Sequence, residues 1–424
     1  MTRKSELCSW LYRVAPVLAA ALAALNLAAP VSAQQAAAIV AGPAKGALVI
    51  VGGGGMGQAI RQRFMELAGG ERARIVVLPG AGTQDTFPPD WSGLRMWRDL
   101  GAAEVTVLHT RDPKVADTEE FVEPLRNATA VWIPGGRQWK LTIAYNGTRT
   151  LRELHAVLER GGVIGGSSAG ASVQSSYMVR GAEEGNDVMM APGHEEGFGF
   201  LRGAAVDQHI LARGRQNDLG EVIVAHPELL GIGIDEGTAI VVQGNRAEVI
   251  GTSYVAFHNT KDAADMPYYF LKAGDAFDLA QRVTVKGTTM PPEAGDQRMI
   301  LATLNRFFEG MSERDTTAVR RTLHTDARVF VAQEAGQRSR VESVSIEDFL
   351  KQLGASEAAF ERRIEQPEIR VDGNLASVWA ASKVYEGTRV ANCGTDSYQL
   401  ARSGQGGWRI LQLAYTREDD CGLD

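Results

Sequence analysis

Apolar residues along this chain fall into two alternating patterns from Lys45 to about Gln281. Short continuous apolar runs predict buried strands, and apolar positions three to four residues apart predict amphipathic helices. The predicted strands cover residues 47–51, 74–78, 104–109, 130–133 and 163–164, and the predicted helices cover 58–67, 94–100, 121–127 and 151–159. This alternation is typical of an α/β domain with a mostly parallel sheet and helices on both faces.

The fifth predicted strand ends in a glycine-rich turn with Ser168 at its apex, and a helix is predicted to begin at Ala169. Such a turn exposes the serine Oγ and directs the next backbone N–H towards a developing oxyanion. Residues 166–170 match G-x-S-x-G, but in a chain with 47 glycines this match is equally typical of a small-residue turn that packs a helix on a strand. Ser168 is therefore a candidate nucleophile at the carboxyl end of a strand, where active residues of such sheets lie.

Two later segments contain the groups that a nucleophilic serine requires, namely a base and an acid that orients it. A strand-like run ends in Asp207-Gln208-His209, and a later buried run is interrupted by Asp235 and Glu236. Carboxylates within so apolar a run are unfavourable unless they have partners, which makes them site candidates. A purely structural role is the alternative for His209 and for Glu236.

The end of the first domain is indicated by a change in composition. Short, turn-linked strands that predict an antiparallel extension of the sheet lie at 232–234, 239–243 and 247–250. The first domain is predicted to cover residues 46–287. Pro291 and Pro292 then indicate a linker over 288–296.

The remaining residues, 297–424, show helices first and long alternating strands afterwards. The predicted helices are 297–311, 315–324 and 345–353, and the predicted strands are 328–331, 362–371, 376–385, 395–402 and 408–415. This order is typical of an α+β domain with a curved antiparallel sheet. His324 and Asp326 are candidates for lining its pocket, with a structural pair at a helix end as the alternative.

The first 33 residues have the pattern of a secretory signal peptide. A basic start precedes an apolar run at 14–29, and residues 31–33 form a small-residue site with cleavage expected after Ala33. A membrane anchor is the alternative, but about 16 apolar residues that include Pro16 and Asn26 are short of a membrane span. We therefore expect a secreted or periplasmic protein without stable membrane insertion.

Charge and residue usage disfavour several functions. The formal net charge of −7 disfavours nucleic-acid binding, and the seven scattered histidines and the absence of close cysteine pairs predict no metal. Residues 52–57 match G-x-G-x-x-G, but the next strand ends without the acidic residue of a dinucleotide site. We expect no NAD or other cofactor, and we expect these glycines to let the chain pass close to the active site.

Cysteine usage leaves one question open. Cys393 and Cys421 are the cysteines that remain after the leader. In an oxidising compartment they pair and fix the end of the chain, and two free buried thiols are the alternative.

Taken together, the segments around Ser168, His209 and Glu236 resemble the cyanophycinase branch of the aspartyl dipeptidase serine peptidases. The motifs that carry the resemblance are residues 165–171, Asp207-Gln208-His209 with the arginines behind it, 231–239, 100–105 and 128–138. The resemblance runs over about 47–270 and implies a class I glutamine amidotransferase-like α/β fold. The second domain resembles the SnoaL-like and ketosteroid-isomerase-like cone domains, which bind small ligands or mediate dimerisation.

The resemblance also implies roles for individual residues. Ser168 would be the nucleophile, His209 the general base and then acid, and Glu236 the carboxylate that orients it, with Asp235 as a neighbouring structural acid. The backbone N–H groups of Gly136 and Ala169 would form the oxyanion hole. The substrate pocket would be shaped by Gln138, Asp207, Gln208, Arg213 and Arg215. The implied function is an exopeptidase that hydrolyses aspartyl or β-aspartyl peptides through an acyl-enzyme, with cyanophycin as the leading candidate substrate.

Two positions depart from the family pattern. Arg137 stands where the family usually has aspartate, and Asp218 stands where cyanophycinases have a third arginine. Replacing an arginine by an aspartate changes the local charge by two units, which alters how a charged dipeptide is held. The expected partner is a peptide substrate, but specificity for cyanophycin is open.

Two other functions are weighed against peptidase activity. The first is a ligand-binding or dimerising exported protein whose peptidase domain is vestigial, and a homodimer is compatible with either function. The second is a glutamine amidotransferase, which is disfavoured because those enzymes use a cysteine nucleophile and no cysteine lies between Cys8 and Cys393.

Overall fold

The computed structural model describes residues 42–262, 266–335, 338–355, 360–403, 407–418 and 421. The expected leader, with its cleavage site after Ala33, lies outside these ranges. Within them, no helix combines the length and the apolar character that crossing a membrane requires.

The first part of the described chain alternates strands and helices as far as Lys286. Its strands are β1 (Ala47–Val51), β2 (Arg74–Val77), β3 (Glu104–Val107), β4 (Ala130–Ile133), β5 (Val163–Ser167), β6 (Ser175–Tyr177), β7 (Leu201–Gln208), β8 (Leu230–Ile234), β9 (Thr238–Gln243), β10 (Arg246–Gly251), β11 (Tyr254–His258), β12 (Tyr268–Lys272), β13 (Ala276–Asp278) and β14 (Val283–Lys286). Its helices are α1 (Gln58–Ala68), α2 (Arg95–Asp99), α3 (Pro113–Ala116), α4 (Glu119–Arg126), α5 (Gln138–Tyr145), α6 (Arg149–Glu159), α7 (Ala169–Ser172) and α8 (Leu219–Ala225).

The larger sheet of this part has nine strands in the order β14-β13-β10-β9-β1-β5-β4-β2-β3. The strands from β1 to β3 in that order pair in parallel, and all five residues of β1 are buried, as expected for a strand covered on both faces. β9, β10, β13 and β14 add antiparallel pairs. The predicted α/β fold with a mostly parallel sheet is confirmed.

Both faces of this sheet are covered by apolar side chains. Alternate residues of β1 belong to different hydrophobic clusters, with Leu48 in the cluster on one face and Val49 in the cluster on the other. Phe64 of α1 and Trp97 of α2 pack together on the Val49 side, with ring centroids 4.6 Å apart. The alternation follows from the two-residue period of a strand.

A second sheet places two further strand ends near the first. Its order is β12-β11-β8-β7-β6, and β7 and β8 pair in parallel with Gln208 opposite Ile234. The prediction that residues 232–234 extend the first sheet is therefore wrong, because α8 connects β7 to β8 as a strand–helix–strand unit, which favours parallel pairing. The residues after β7 and after β8 consequently lie at the same edge.

The second domain begins with a long helix and ends with a six-stranded sheet. Its elements are α9 (Glu293–Glu313), α10 (Thr316–Thr322), β15 (Leu323–Ala335), β16 (Arg338–Ser345), α11 (Ile346–Ala355), β17 (Glu361–Asp372), β18 (Leu375–Glu386), β19 (Arg389–Arg402) and β20 (Trp408–Thr416). The sheet order is β16-β15-β20-β19-β18-β17, and only the β15–β20 pair among these described strands is parallel. The predicted α+β second domain is confirmed.

Two features of this domain differ from the prediction. The first helix begins at Glu293, inside the predicted linker, because Pro291 and Pro292 precede it and a proline is tolerated next to a helix start. β16 was not predicted, since its polar sequence lacks the apolar alternation that marks a strand.

A disulfide bonds Cys421 to β19. Cys393 and Cys421 form a disulfide with their Cα atoms 5.7 Å apart, and the backbone of Glu418 pairs with that of Cys393. The disulfide alternative is therefore the correct one.

Candidate active site

Ser168 occupies a strained turn between β5 and α7. Its φ is 57° and its ψ is −113°, a backbone conformation that non-glycine residues rarely adopt and that clusters at functional sites. The Ser168 N–H donates to Val51 O at the end of β1 (3.0 Å). The strand–turn–helix context predicted from the sequence is present.

His209 and Glu236 reach Ser168 from the second sheet. His209 directly follows β7, and Glu236 is the second residue after β8, with Asp235 between the strand and Glu236. His209 Nε2 lies 2.9 Å from Ser168 Oγ, and His209 Nδ1 lies 2.5 Å from Glu236 Oε1. An ionised carboxylate only accepts hydrogen bonds, so the Nδ1 atom carries the proton and Nε2 accepts the serine hydroxyl.

The glycine-rich segment after β1 lies directly against these side chains. A Cβ placed on Gly53 would be 2.1 Å from His209 Cε1, and one placed on Gly54 would be 2.7 Å from Glu236 Oε2. Gly53 O accepts from Gly237 N–H (3.0 Å) and the carbonyl of the preceding glycine accepts from His209 N–H (2.8 Å). The prediction that these glycines let the chain pass close to the site residues is confirmed.

The surroundings of His209 favour the neutral form of its imidazole. Burial lowers the pKa of His209 below its usual value, the hydrogen bond to Glu236 partly opposes this, and the positive charges of Arg213 and Arg215 lower the pKa further. A neutral imidazole with a hydrogen-bonded Nδ1–H can accept a proton at Nε2 near neutral pH.

The two predicted oxyanion donors lie at the serine turn and on the neighbouring strand end. Ala169 is the first residue of α7, and neither its N–H nor that of Gly136 donates to another backbone group in the described part of the chain. Gly135 approaches the nucleophile closely, because a Cβ on it would lie 3.2 Å from Ser168 Cβ. The Gly135–Gly136 segment therefore runs beside Ser168.

The predicted pocket residues separate into buried and accessible groups. Gln138 is buried and donates to Val179 O (2.8 Å), and Asp207 is 0 % exposed. Gln208 is also buried, with its Oε1 unpaired among the described residues. Arg213 is exposed, and Arg215 is partly buried with one unpaired guanidinium nitrogen, Nη1.

Asp207, predicted to help shape the substrate pocket, lies in a buried ion pair. Its two carboxylate oxygens accept from Arg180 Nε (2.8 Å) and Nη2 (2.9 Å). Arg180 is itself 1 % exposed and donates to Asp218 (2.6 Å) as well. Because both groups of the Arg180–Asp207 pair are buried, Asp207 holds Arg180 and does not face an open pocket.

Arg180 was not among the site residues predicted from the sequence. It follows the apolar residues Met178 and Val179, and a charge at the end of a buried run is the signal that could have identified it. Arg137 is a second anchor for the same loop, since its Nη2 donates to the carbonyl oxygens of Ala182 and Glu183. Both positions that depart from the family pattern therefore contact this region. Arg137 contacts the loop that follows Arg180, and Asp218 contacts Arg180 itself.

Other predicted residues lie away from this site. His324 Nδ1 and Asp326 Oδ2 are 3.6 Å apart, and the Asp326 side chain is 84 % exposed. This exposed pair, which directly follows the end of α10, favours the structural alternative over a role in lining a pocket. Among the described residues no group of three His, Cys, Asp or Glu side chains is arranged to hold a metal ion.

Family models match both parts of the chain. The family model of peptidase family S51 matches residues 48–250, and a lumazine-binding family model matches residues 295–416. A cyanophycinase of Geminocystis herdmanii is 34% identical over 202 residues, covering 47% of this chain and 74% of the relative. A cyanophycinase of Synechococcus elongatus is 30% identical over 277 residues, covering 58% of this chain and 84% of the relative.

Among solved structures, a peptidase from an acI-B1 Actinobacterium is 23% identical, covers 55% of this chain and 97% of its own, and has a TM-score of 0.43. The identity and coverage of the two cyanophycinases are sufficient to assign the family. This chain belongs to peptidase family S51 and is a serine-type peptidase.

Proposed function

We propose that this protein is an exported exopeptidase that hydrolyses aspartyl or β-aspartyl peptides with Ser168, His209 and Glu236 as its catalytic triad. The observation that carries the proposal is the continuous hydrogen-bonded series from Ser168 Oγ through the imidazole to Glu236, at 2.9 and 2.5 Å. Nucleophile, base and orienting acid within hydrogen-bond reach are the geometric signature of an activated serine.

In the proposed mechanism Ser168 Oγ attacks the scissile carbonyl carbon while its proton moves to His209 Nε2. The negative charge that develops on the carbonyl oxygen is stabilised by the N–H groups of Ala169 and Gly136. The C–N bond then breaks, the imidazolium gives its proton to the leaving amine, and an acyl-enzyme remains on Ser168. Water, deprotonated by His209, hydrolyses this ester and restores the serine. Each oxyanion donor contributes about 10²–10³-fold to the rate.

The proposed substrate class rests on charge near the nucleophile. Arg213 and Arg215 lie on the loop that follows His209, and burial together with the neighbouring Arg180 lowers the pKa of Arg215. An arginine whose charge is not fully neutralised by its neighbours favours a carboxylate ligand. Because the relatives are cyanophycinases, cyanophycin, with its aspartate backbone and β-linked arginines, is the leading candidate substrate.

The site has one feature that bears on how the arginine part of such a substrate is held. Asp218 stands where cyanophycinases have an arginine. Its negative charge is partly neutralised by Arg180, which donates a hydrogen bond to one of its oxygens. Its side chain is 38 % exposed, so it can still accept from a substrate guanidinium. We expect a preference between β-Asp-Arg and other Asp-X dipeptides that differs from that of the relatives.

The decisive experiment compares wild type with Ser168→Ala on β-Asp-Arg polymer, a panel of Asp-X dipeptides and an unbiased peptide library. Turnover by wild type and none by Ser168→Ala supports the proposal, as does labelling of Ser168 by a serine-directed phosphonate. Equal turnover in both proteins would exclude Ser168 as nucleophile. Absence of labelling and turnover in wild type would favour the vestigial, ligand-binding alternative.

Export and assembly are tested separately. Expression of the full chain in a Gram-negative host, followed by N-terminal sequencing of the periplasmic protein, should give a chain that begins directly after Ala33. Recovery of the uncleaved chain in the cytoplasm would contradict the proposed export. Light scattering of the purified protein measures whether it forms the homodimer that the second domain is predicted to allow.

A further inference from the structure

The first helix of the second domain packs against the loop that follows His209. Ile210 and Leu211 of this loop belong to the same hydrophobic cluster as Met299 and Ile300 of α9. The approach is close at Gly295, where a Cβ would lie 3.0 Å from Leu211 Cδ2. The loop that follows His209 is thus packed against residues of the second domain.

A buried carboxylate lies beside this contact. Asp235 is 7 % exposed, and its Oδ1 accepts from the N–H groups of Leu211 (3.0 Å) and Ala212 (2.9 Å). Its Oδ2 accepts from Ser253 Oγ (2.5 Å). Because Asp235 immediately precedes Glu236, one side chain ties the loop after His209 to the segment that carries Glu236.

Arg298 of α9 completes this series. Its Nε donates to Ser253 Oγ (2.8 Å), and its Nη2 donates to Thr252 O. Its guanidinium also lies over the ring of Tyr254, 5.0 Å from the centroid. Since Ser253 donates its only hydroxyl proton to Asp235, the oxygen is free to accept from Arg298, and the cation strengthens the hydrogen bond to the buried carboxylate.

A second contact links the sheet of the second domain to the same loop. Asp296 Oδ1 accepts from Arg402 at the end of β19 (2.6 Å) and from Gln216 (3.4 Å). Gln216 directly follows Arg215. Asp296 therefore contacts one end of the loop after His209 directly, whereas Arg298 is connected to its other end through Ser253 and Asp235.

We propose that Arg298 is a positioning residue of the peptidase site, acting through Ser253 and Asp235 to keep His209 and Glu236 in hydrogen-bonding register with Ser168. The inference rests on the proposed roles of these three residues. It assigns the second domain a function in catalysis, because the cation that fixes the two loops is supplied by its first helix. Hydrolysis should therefore depend on a side chain about 60 residues beyond the last triad member in the sequence.

The test uses the full-length chain and the variants Arg298→Ala, Ser253→Ala and the double variant. The control is Arg306→Ala, which removes an arginine from the same helix whose Nη2 contacts only Thr303 Oγ1 within α9 among the side-chain bonds described. The concentration of competent sites is measured by stoichiometric phosphonate labelling of Ser168, and kcat is expressed per labelled site. This normalisation removes the effect of a smaller folded fraction.

We expect kcat per labelled site to fall by about tenfold to a hundredfold in Arg298→Ala, with KM changed by less than about twofold. Ser253→Ala should show a similar loss, and the double variant should be no worse than the poorer single variant, since all three interrupt one series of hydrogen bonds. Arg306→Ala should match wild type.

The inference is overturned if Arg298→Ala and Ser253→Ala both retain the wild-type kcat per labelled site, or if their effects multiply in the double variant. If Arg298→Ala does not fold, Ser253→Ala decides alone, because its backbone N–H bond to Thr238 Oγ1 (2.7 Å) is unaffected by loss of the hydroxyl. Failure of the proposed function is recognised separately, since wild type would then give neither labelling at Ser168 nor turnover.

Discussion

Replacing Gly53 by alanine is expected to remove most of the activity while leaving the protein folded. The φ of Gly53 is 110°, a region in which a residue with a Cβ is strained by about 1–3 kcal/mol. The added methyl carbon would lie 2.1 Å from His209 Cε1 and 2.5 Å from Nε2. Carbon atoms are in normal contact at about 3.5 Å, so the imidazole or the glycine loop has to move by more than an ångström.

Such a displacement breaks the hydrogen bond on which the proposed chemistry depends. The Nε2–Oγ distance is 2.9 Å, and a shift of about 1 Å takes it beyond the range of a hydrogen bond. A misplacement of about 1 Å costs on the order of 10²-fold in rate. We therefore expect kcat/KM of Gly53→Ala to be at least about a hundredfold below wild type.

Gly55 supplies the matched control. It lies two residues further in the same glycine-rich segment, and a Cβ on it has no atom within 4 Å. Gly55→Ala should keep kcat/KM within about twofold of wild type. The assay is hydrolysis of a β-Asp-Arg dipeptide, with the phosphonate labelling rate of Ser168 and the thermal midpoint measured in parallel. Wild-type kcat/KM in Gly53→Ala, or an equal loss in Gly55→Ala, would refute the reasoning.

Three further predictions follow from charges and burial. Because burial and nearby arginines lower the pKa of His209, the acid limb of the pH profile of kcat/KM should lie below pH 6.5. Arg215→Met should move this limb to higher pH. An unmoved limb would exclude an influence of Arg215 on the pKa of His209. Burial lowers the pKa of His258 to about 3, so the unfolded chain binds one more proton than the folded chain between pH 3 and 6.5. The free energy of unfolding should therefore fall as the pH decreases through this window, by at most about 1.4 kcal/mol per pH unit. Urea titrations at several pH values should show a shallower pH dependence of the free energy of unfolding in His258→Phe. Asp207→Asn should lower the free energy of unfolding by on the order of 3 kcal/mol, because it leaves a buried arginine without its bidentate partner. Asp218→Asn should lower it by less, since that side chain is 38 % exposed. Equal shifts of the thermal midpoint in the two variants would contradict this prediction.

The parts of the fold that depend on local pattern were predictable from the sequence. β1 and β5 are continuous apolar runs, and the turn at Ser168 has small residues on both sides, so strand, turn and helix follow from neighbouring residues alone. The second sheet was not predicted as a separate sheet, because whether β8 pairs with β7 or extends β9 depends on contacts between distant segments.

The same distinction applies to the site. His209 and Glu236 stand in motifs with recognisable neighbours, whereas Arg180 and Arg298 act through partners 27 and 45 residues away in the sequence. No local period or spacing indicates such pairs. A buried charge can be suspected from an apolar run, but its partner is defined only by the folded chain.

The disulfide between Cys393 and Cys421 has a practical consequence for work with this protein. A reducing cytosol keeps such thiols apart, whereas an oxidising compartment allows the bond to form. Recombinant material made in an ordinary bacterial cytoplasm is therefore expected to lack the bond, and Cys421 would then not be linked covalently to β19. Counting free thiols in protein recovered from its native host, under denaturing conditions and without reductant, reports the redox state of the compartment in which the chain folded.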